Sequence, residues 1–309
     1  METKTIIQEG DIVVFDDKHM IFCGDSSKIE SYDFMKGKKA TLCFTSPPYN
    51  VGSKRYGSNL TNVQKFVNDS QDIRLKLTKY YVDNDSLNDK NYLDLIINAS
   101  KNALQNCEYL FFNVAHNSGN KISLIDYCYE MKDKYVDTII WKKDVSLPVI
   151  VPNVLNSDFE YIYIYKQNPN DSKQIKIGKD FHGTLSNVIE IKRNMQNEYA
   201  KIHSSLMPLE LCDYIINNFT NENDIVLDCF SGLATTMISC ITNNRIYRGI
   251  EISPFYVQES IKRFMEYSND RNIKILRGDK VINYKEIEDY ISSNRKDIFD
   301  YLWKGSEDN

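Results

Sequence analysis

One short stretch of the sequence combines a hydroxyl, two prolines and an aromatic ring. An apolar run ending at Thr45 is followed directly by Ser46, Pro47, Pro48 and Tyr49. Two prolines end a strand, remove two backbone donors and hold the carbonyls outward in a rigid turn. Acceptors on one side and a stacking face on the other suit a flat ring that carries an exocyclic amine. The alternative is a simple proline-rich turn, which is expected in an exposed polyproline segment rather than at the end of a strand.

A second stretch, from Asp224 to Thr236, has the pattern of a strand, a tight turn and the start of a helix. About twenty residues after its turn, another strand ends at Glu251. An acidic residue at that place can accept both ribose hydroxyls of a nucleoside-containing cofactor. Because Gly232 is the only glycine of the turn, an ordinary βα turn with a surface glutamate explains this stretch equally well when it is taken alone.

Together, the two stretches resemble the amino-methyltransferases of DNA, which methylate N4 of cytosine or N6 of adenine with S-adenosylmethionine. The first reads TSPPY, and the second reads DxFxGxxTT with a downstream Gly-Ile-Glu. Because TSPPY comes before the glycine loop, the order resembles the circularly permuted β group. Release-factor glutamine methyltransferases and many RNA methyltransferases carry their (N/D)PPY after the loop. One departure is Ala234, where the family usually has a second glycine.

The resemblance implies roles for the TSPPY residues. Ser46 and the carbonyl of Pro47 would accept the two N–H groups of the target amine, so that its lone pair can attack the sulfonium methyl. Tyr49 would stack on the base after the base has flipped out of the duplex, and Pro48 belongs to the same catalytic turn. Residues 140–143 and 159–163 resemble the strands that wall the target pocket.

The resemblance also implies a set of contacts for S-adenosylmethionine. Glu251 would hold the ribose, and Gly232 would let the backbone approach. Asp25, in a Gly-Asp pair before the TSPPY strand, would bind the adenine amino group, and Asp279 in a second Gly-Asp pair is the alternative. The remaining expected contacts are Asp228 with the ammonium, Phe230 beside the cofactor, and Thr235 and Thr236 with the carboxylate at a helix N-terminus. Helix capping by the threonines and core packing of Phe230 are the alternatives.

Short apolar strands alternate with amphipathic helices along the chain, which is typical of a parallel sheet with helices on both faces. The predicted strands are residues 11–15, 20–23, 41–45, 109–113, 136–141, 160–166, 225–229, 246–250 and 273–276, and the predicted helices are residues 92–103, 209–219 and 254–267. We therefore expect an α/β fold of the Rossmann-like class I methyltransferase type. Its sheet would be seven-stranded and mostly parallel, with a small target-recognition insertion.

The chain divides into four predicted segments. Residues 1–166 would form the catalytic half of the methyltransferase domain, with a polar insertion at residues 52–90. Residues 204–278 would form the S-adenosylmethionine-binding half of the same domain. Between the halves, residues 167–203 carry a modest basic excess and are predicted to recognise the target sequence. Residues 279–309 are predicted to form an acidic amphipathic helix.

Composition limits the classes of function. The net charge is −5, so a basic surface for nucleic acid would have to be local. Apolar runs are too short to span a bilayer and no signal peptide is visible, which predicts a cytoplasmic protein without membrane contact. The seven cysteines form no CxxC pair and the four histidines have no ligand spacing, so we expect buried, reduced thiols and no metal.

The sequence therefore predicts a sequence-specific methyltransferase for double-stranded DNA, acting in restriction-modification or alone. A cognate restriction endonuclease and a second copy of the chain are the candidate protein partners. The serine of TSPPY favours N4 of cytosine over N6 of adenine. Two alternatives stay open. One is a methyltransferase for RNA or another amine substrate, and the other is a catalytically silent DNA-binding subunit of the same fold.

Overall fold

The structure is a computed structural model that describes residues 5–50, 87–144, 153–169, 172–192, 206–268, 271–290 and 293. The strands are β1 (Ile12–Phe15), β2 (His19–Cys23), β3 (Ala40–Thr45), β4 (Cys107–Val114), β5 (Tyr135–Lys142), β6 (Phe159–Lys166), β7 (Val188–Glu190), β8 (Ile225–Asp228), β9 (Ile246–Glu251), β10 (Ile273–Arg277) and β11 (Lys280–Asn283). The α-helices are α1 (Asp89–Asn106), α2 (Lys121–Glu130), α3 (Leu209–Phe219), α4 (Thr235–Thr242) and α5 (Pro254–Ser268). None of the helices in the described ranges combines the length and the apolar character that a membrane span requires.

These strands form one sheet in the order β11-β10-β1-β2-β9-β8-β3-β4-β6-β5-β7. From β2 to β5 in that order, every strand runs in one direction except β6, which runs against its two neighbours. This part confirms the predicted Rossmann-like fold with a seven-stranded, mostly parallel sheet. The whole sheet is wider than predicted, because β1, β10 and β11 extend one edge by antiparallel pairing and β7 pairs with β5 at the other edge.

Helices cover both faces of the sheet because successive strand residues point to opposite sides. On β4, Leu110 and Phe112 pack with α1 and α2, whereas Tyr109 and Phe111 pack with α3. Helices α4 and α5 lie on the same face of the sheet as α3 and cover β8, β9 and β1. Central strands buried on both faces explain why the sequence shows continuous apolar runs there rather than alternation.

Several predicted elements need correction. Residues 280–283 form β11, a hairpin partner of β10, so the predicted C-terminal helix begins at residue 284, and residues 294–309 lie outside the described ones. Residues 52–86 of the predicted insertion also lie outside the described residues. Helix α1 begins at Asp89, within the predicted bounds of that insertion. Helix α2 was not predicted because Ile122 and Ile125 are exposed while Leu124 is buried, which blurs the helical pattern.

The strand order reverses between β8 and β3, since α4 connects β8 to β9 on one side and α1 leads into β4 on the other. Thr45 ends β3, and its hydroxyl donates a hydrogen bond to Oδ1 of Asp228, the last residue of β8, at 2.7 Å. The same hydroxyl oxygen accepts the N–H of Phe230 at 3.1 Å. Thr236, at the start of α4, donates to the other carboxylate oxygen of Asp228 at 2.8 Å. One buried carboxylate thus joins both strands and the following helix at the place where open α/β sheets bind ligands.

Burial raises the pKa of Asp228 to about 6, and the hydrogen bonds from Thr45, Thr236 and Phe230 oppose that rise. The native protein therefore holds this proton more tightly than the unfolded chain does. The contribution of this titration to the free energy of unfolding is present below about pH 4 and is lost as the pH rises through about 6.

We expect Thr45→Val to lower the free energy of unfolding by about 1–3 kcal/mol near pH 8, because ionised Asp228 would lose a buried hydrogen-bond donor. The loss should shrink as the pH falls towards about 5, where the carboxyl group takes up a proton. Thr45→Ser keeps the hydroxyl and is the matched control. Urea unfolding at both pH values measures the difference. Equal unfolding free energies for the two variants near pH 8 would show that the bond does not stabilise the fold.

Candidate active site

The loops that carry the predicted site residues meet at the carboxyl edge of the parallel strands. Because β6 is antiparallel, its first residues lie at the same edge. The segments at this edge are Gly24-Asp25 after β2, Ile252-Ser253 after β9, Cys229–Ala234 after β8, Ser46–Asn50 after β3, Ala115–Asn120 after β4, and Phe159-Glu160 at the start of β6.

Glu251 ends β9, and two backbone N–H groups hold its carboxylate. Gly232 donates to Oε2 at 2.7 Å, and Ser253 donates to Oε1 at 2.8 Å. Burial raises the pKa of Glu251 to about 7. The backbone N–H groups of Ser253, Gly232 and Ile252 oppose this rise in pKa, and the lone pairs that remain on the carboxylate can accept donors from a ligand.

The glycine loop has a left-handed backbone at Gly232 (φ +52°) and again at Ala234 (φ +55°). Alanine at such a position costs about 1–2 kcal/mol relative to the ordinary helical region. Ala234 nevertheless keeps the turn, because its N–H donates to the carbonyl of Ser231 and its methyl group is buried in the core. The departure from the family pattern therefore leaves the turn with the backbone shape that glycine would favour.

Asp25 lies beside Glu251, since Cys23 pairs with Glu251 in the sheet. Oδ1 of Asp25 accepts the N–H and the hydroxyl of Ser27 at 2.9 and 2.7 Å. Among the described residues, no donor bonds to Oδ2. Asp279 lies in the turn between β10 and β11, with β1 between β10 and β2, which places it roughly 10 Å further along the sheet. The geometry brings Asp25, and not Asp279, next to Glu251.

Three residues that were predicted to contact the cofactor form hydrogen bonds with other residues of the protein. Both carboxylate oxygens of Asp228 are hydrogen-bonded as described above, one of them to Thr236. The hydroxyl of Thr235 accepts a guanidinium N–H of buried Arg263 at 2.8 Å. These contacts support the loop and the start of α4, and contact with a cofactor stays a prediction. The ring of Phe230 is half-buried at the loop.

At the end of β3, Ser46 donates to the hydroxyl of Tyr49 at 3.0 Å, and Tyr49 donates to Oε2 of Glu160 at 2.7 Å. Asn113 donates to the same oxygen at 3.2 Å, and Oε1 of Glu160 lies 2.6 Å from Nζ of Lys143. Burial and the charge of Glu160 raise the pKa of Tyr49 well above its usual value. Residues 140–143 and 159–163 were predicted to wall the target pocket, but no role was predicted for the side chains of Lys143 and Glu160. The available signal was a lysine directly after β5 and a glutamate near the start of β6, which pair across the sheet.

Asparagine side chains hold the other end of the TSPPY turn. The carbonyl of Tyr49 accepts one amide N–H from Asn117 at 2.8 Å and one from Asn120 at 2.9 Å. Asn50 has a left-handed backbone and donates to the carbonyl of Gly119 at 2.9 Å. A Cβ atom at Gly119 would collide with the carbonyl oxygen of Asn50, so this close approach requires glycine.

The described part of the predicted target-recognition segment packs on the edge of the sheet. Ile177, Ile189 and Ile191 are buried against the cluster that contains Trp141, and the indole N–H donates to the carbonyl of Ile191 at 2.9 Å. Residues 193–203 of that segment lie outside the described ones. The described part of the segment therefore contributes side chains to the hydrophobic core at this edge of the sheet.

A family model described as DNA methylase matches residues 40–262. The chain is 31% identical over 144 residues to the type II beta methyltransferase M.BslI of Bacillus sp. (strain NEB-606). The aligned region covers 41% of this chain and 16% of that protein. It is 29% identical over 122 residues to the type II methyltransferase M.BglI of Bacillus subtilis, with 38% and 33% covered. These matches therefore span less than half the length of either relative.

Among solved structures, the PvuII DNA methyltransferase (cytosine-N4-specific) superposes with a TM-score of 0.58 over 90% of this chain and 93% of that one. At 16% sequence identity, this likeness establishes a shared fold. The family model covers well over half of the 309 residues, including both the TSPPY turn and the glycine loop. The chain therefore belongs to the DNA methylase family.

Proposed function

We propose that this protein transfers a methyl group from S-adenosylmethionine to the exocyclic amine of a base in double-stranded DNA. The observation that carries the proposal is the bond between Thr45 and Asp228, which fixes the TSPPY turn against the glycine loop. An amine-accepting turn and a nucleoside-binding loop are thereby held together at one edge of the sheet. Membership of the DNA methylase family supports DNA as the substrate.

The acceptors at the edge fit S-adenosylmethionine. The unused lone pairs of Glu251 suit the two ribose hydroxyls, and Oδ2 of Asp25 suits the adenine amino group. Gly232 allows close approach of the backbone, and we propose that Phe230 packs beside the cofactor. The bound cofactor supplies an electrophilic methyl group.

The buried polar residues behind the loop complete this half of the site. We propose that Asp228, Thr235 and Thr236 act on the cofactor chiefly by holding the loop and the N-terminus of α4 in place. The amino end of α4 presents backbone N–H groups at the edge where the cofactor carboxylate would lie.

The TSPPY turn can activate an amine whose lone pair is delocalised into its ring. Ser46 and the carbonyl of Pro47 would accept the two N–H groups and so direct the lone pair towards the methyl group. Pro48 keeps the turn rigid, and Tyr49 provides a stacking face for a base that has left the duplex. Correct placement supplies much of the remaining rate enhancement.

The serine of TSPPY leads us to propose N4 of cytosine ahead of N6 of adenine as the target. The relatives are named type II methyltransferases, and one that is 28% identical is named an orphan methyltransferase, M.BamHII of Bacillus amyloliquefaciens. We propose accordingly that the protein acts in the cytoplasm, either beside a restriction endonuclease or alone. We further propose that residues 167–203 contribute to target recognition and that a second copy of the chain can associate with it.

Single-molecule sequencing of DNA from a methylation-deficient host tests the activity. We expect a modified motif in cells that express the intact chain and none in cells that express Ser46→Ala, because the alanine removes an amine acceptor. The modified base would identify cytosine or adenine directly. An unmodified genome, with a folded protein that binds S-adenosylmethionine, would exclude DNA as the substrate of the chain alone and favour RNA or another amine.

Titration calorimetry with S-adenosylmethionine tests the role of Glu251. Hydroxyl donors from a ribose favour the ionised carboxylate, so affinity should rise as the pH increases through about 7 and level off above it. Between about pH 6 and about pH 8, we expect roughly a tenfold gain. Glu251→Gln should bind more weakly near pH 8 and keep only the pH dependence that belongs to the ligand. Identical pH profiles for the two proteins would contradict a ribose contact by Glu251.

A further inference from the structure

A chain of hydrogen-bonded groups runs from Ser46 into the buried edge of the sheet. Ser46 contacts Tyr49, Tyr49 contacts Oε2 of Glu160 at 2.7 Å, and Oε1 of Glu160 contacts Lys143 at 2.6 Å. Glu160 and Lys143 are 8% and 6% exposed. Behind Ser46, this chain is therefore largely shielded from water.

The ion pair determines which way the hydrogens in this chain point. A carboxylate paired with a lysine offers only lone pairs, so the Tyr49 hydroxyl donates to Oε2 of Glu160 at 2.7 Å, with Oδ1 of Asn113 as a more distant second acceptor at 3.3 Å. The phenol has a single hydrogen, and its raised pKa keeps that hydrogen in place. Ser46 must then donate its own hydrogen to Tyr49. The oxygen of Ser46 consequently presents only lone pairs to the pocket.

Stability alone is a weak reason for such an ion pair. The desolvation of two buried charges commonly offsets their attraction, and an apolar pair of similar volume is often as stable or more stable. Glu160 is nonetheless placed where its free lone pairs reach Tyr49 and Asn113. Both of these residues lie at the edge where the target base would enter.

We propose that Glu160, paired with Lys143, is a positioning and specificity residue that makes Ser46 an obligatory hydrogen-bond acceptor. This inference rests on the proposed function, because it concerns the base that enters the TSPPY turn. A target amine brings two N–H groups, one for Ser46 and one for the carbonyl of Pro47. A keto oxygen at the same place brings only lone pairs and faces two acceptors, so the pocket selects amino bases against their keto counterparts.

The test replaces the ion pair by neutral groups of similar size. Glu160→Gln alone leaves a buried lysine without its counter-charge and can fail to fold, so the variant to use is Glu160→Gln combined with Lys143→Met. The amide of the glutamine can donate to Tyr49, which frees the phenol to donate to Ser46 or to Oδ1 of Asn113, so Ser46 is no longer restricted to accepting hydrogen bonds. The matched control is Glu259→Gln with Lys262→Met, which removes another ion pair, within α5, in which Glu259 is buried and Lys262 is partly buried.

Binding is measured with duplexes that carry the motif found by sequencing, in the presence of S-adenosylhomocysteine. The target position holds the amino base, its keto counterpart (uracil for cytosine, hypoxanthine for adenine) or no base. The position opposite the target is abasic in every duplex, so that no base pair has to be broken before the target base enters the pocket. We expect the wild-type protein and the control variant to prefer the amino base by at least about tenfold, as sites that hydrogen-bond a specific polar group do.

For the Glu160/Lys143 variant, we expect this preference to fall below about threefold, while its affinity for the duplex without a target base stays within about threefold of wild type. Its kcat should fall about a hundredfold, with a smaller change in KM. Unchanged preference and kcat would overturn the inference and leave the methyl-transfer proposal intact. Equal loss of affinity for all three duplexes would reduce Glu160 to a structural role. A wild-type protein that methylates no DNA would overturn the proposed function and this inference together.

Discussion

The hydrogen bond between Thr45 and Asp228 joins the ends of β3 and β8, two neighbouring strands that are far apart in the sequence. The TSPPY turn follows one strand and the glycine loop follows its neighbour, and residues of both strands share one apolar cluster. In-line transfer between two ligands depends on placement within a fraction of an ångström, and misplacement by about 1 Å can cost about a hundredfold in rate. The short buried bond fixes the two strand ends relative to each other, and Thr236 links them to the following helix; in the proposed function, these bonds provide that placement.

The site is built mainly from acceptors. Glu251 and Asp25 offer carboxylate lone pairs on one side, and Ser46 and the carbonyl of Pro47 offer lone pairs on the other. Ligands that fit must therefore bring donors, which ribose hydroxyls and exocyclic amines do. This chemistry needs no basic site at the reacting atoms and is compatible with a chain of net charge −5. Contacts to phosphates would come from surfaces outside the turn and the loop.

Local patterns were enough to predict most of the central strands and the places of the TSPPY turn and Glu251 at strand ends, because each depends on residues adjacent in the chain. Strand β7 escaped prediction because three residues carry too little periodicity. The contact between Tyr49 and Glu160 spans 111 positions, and the asparagines that hold Tyr49 lie about seventy positions away. Only sheet register brings such residues together. At Ala234, the sequence departs from the glycine that the family pattern has, but the backbone still adopts the left-handed conformation that glycine favours.

The most direct measurement is methyl transfer by the purified chain from S-adenosylmethionine labelled in its methyl group. Plasmid DNA and total RNA serve as separate substrates, and each is digested to nucleosides before the label is located. We expect label on the exocyclic amine of a DNA base, with N4 of cytosine ahead of N6 of adenine. Label on a ring carbon, label only in RNA, or no transfer by a protein that binds the cofactor would contradict the proposed function.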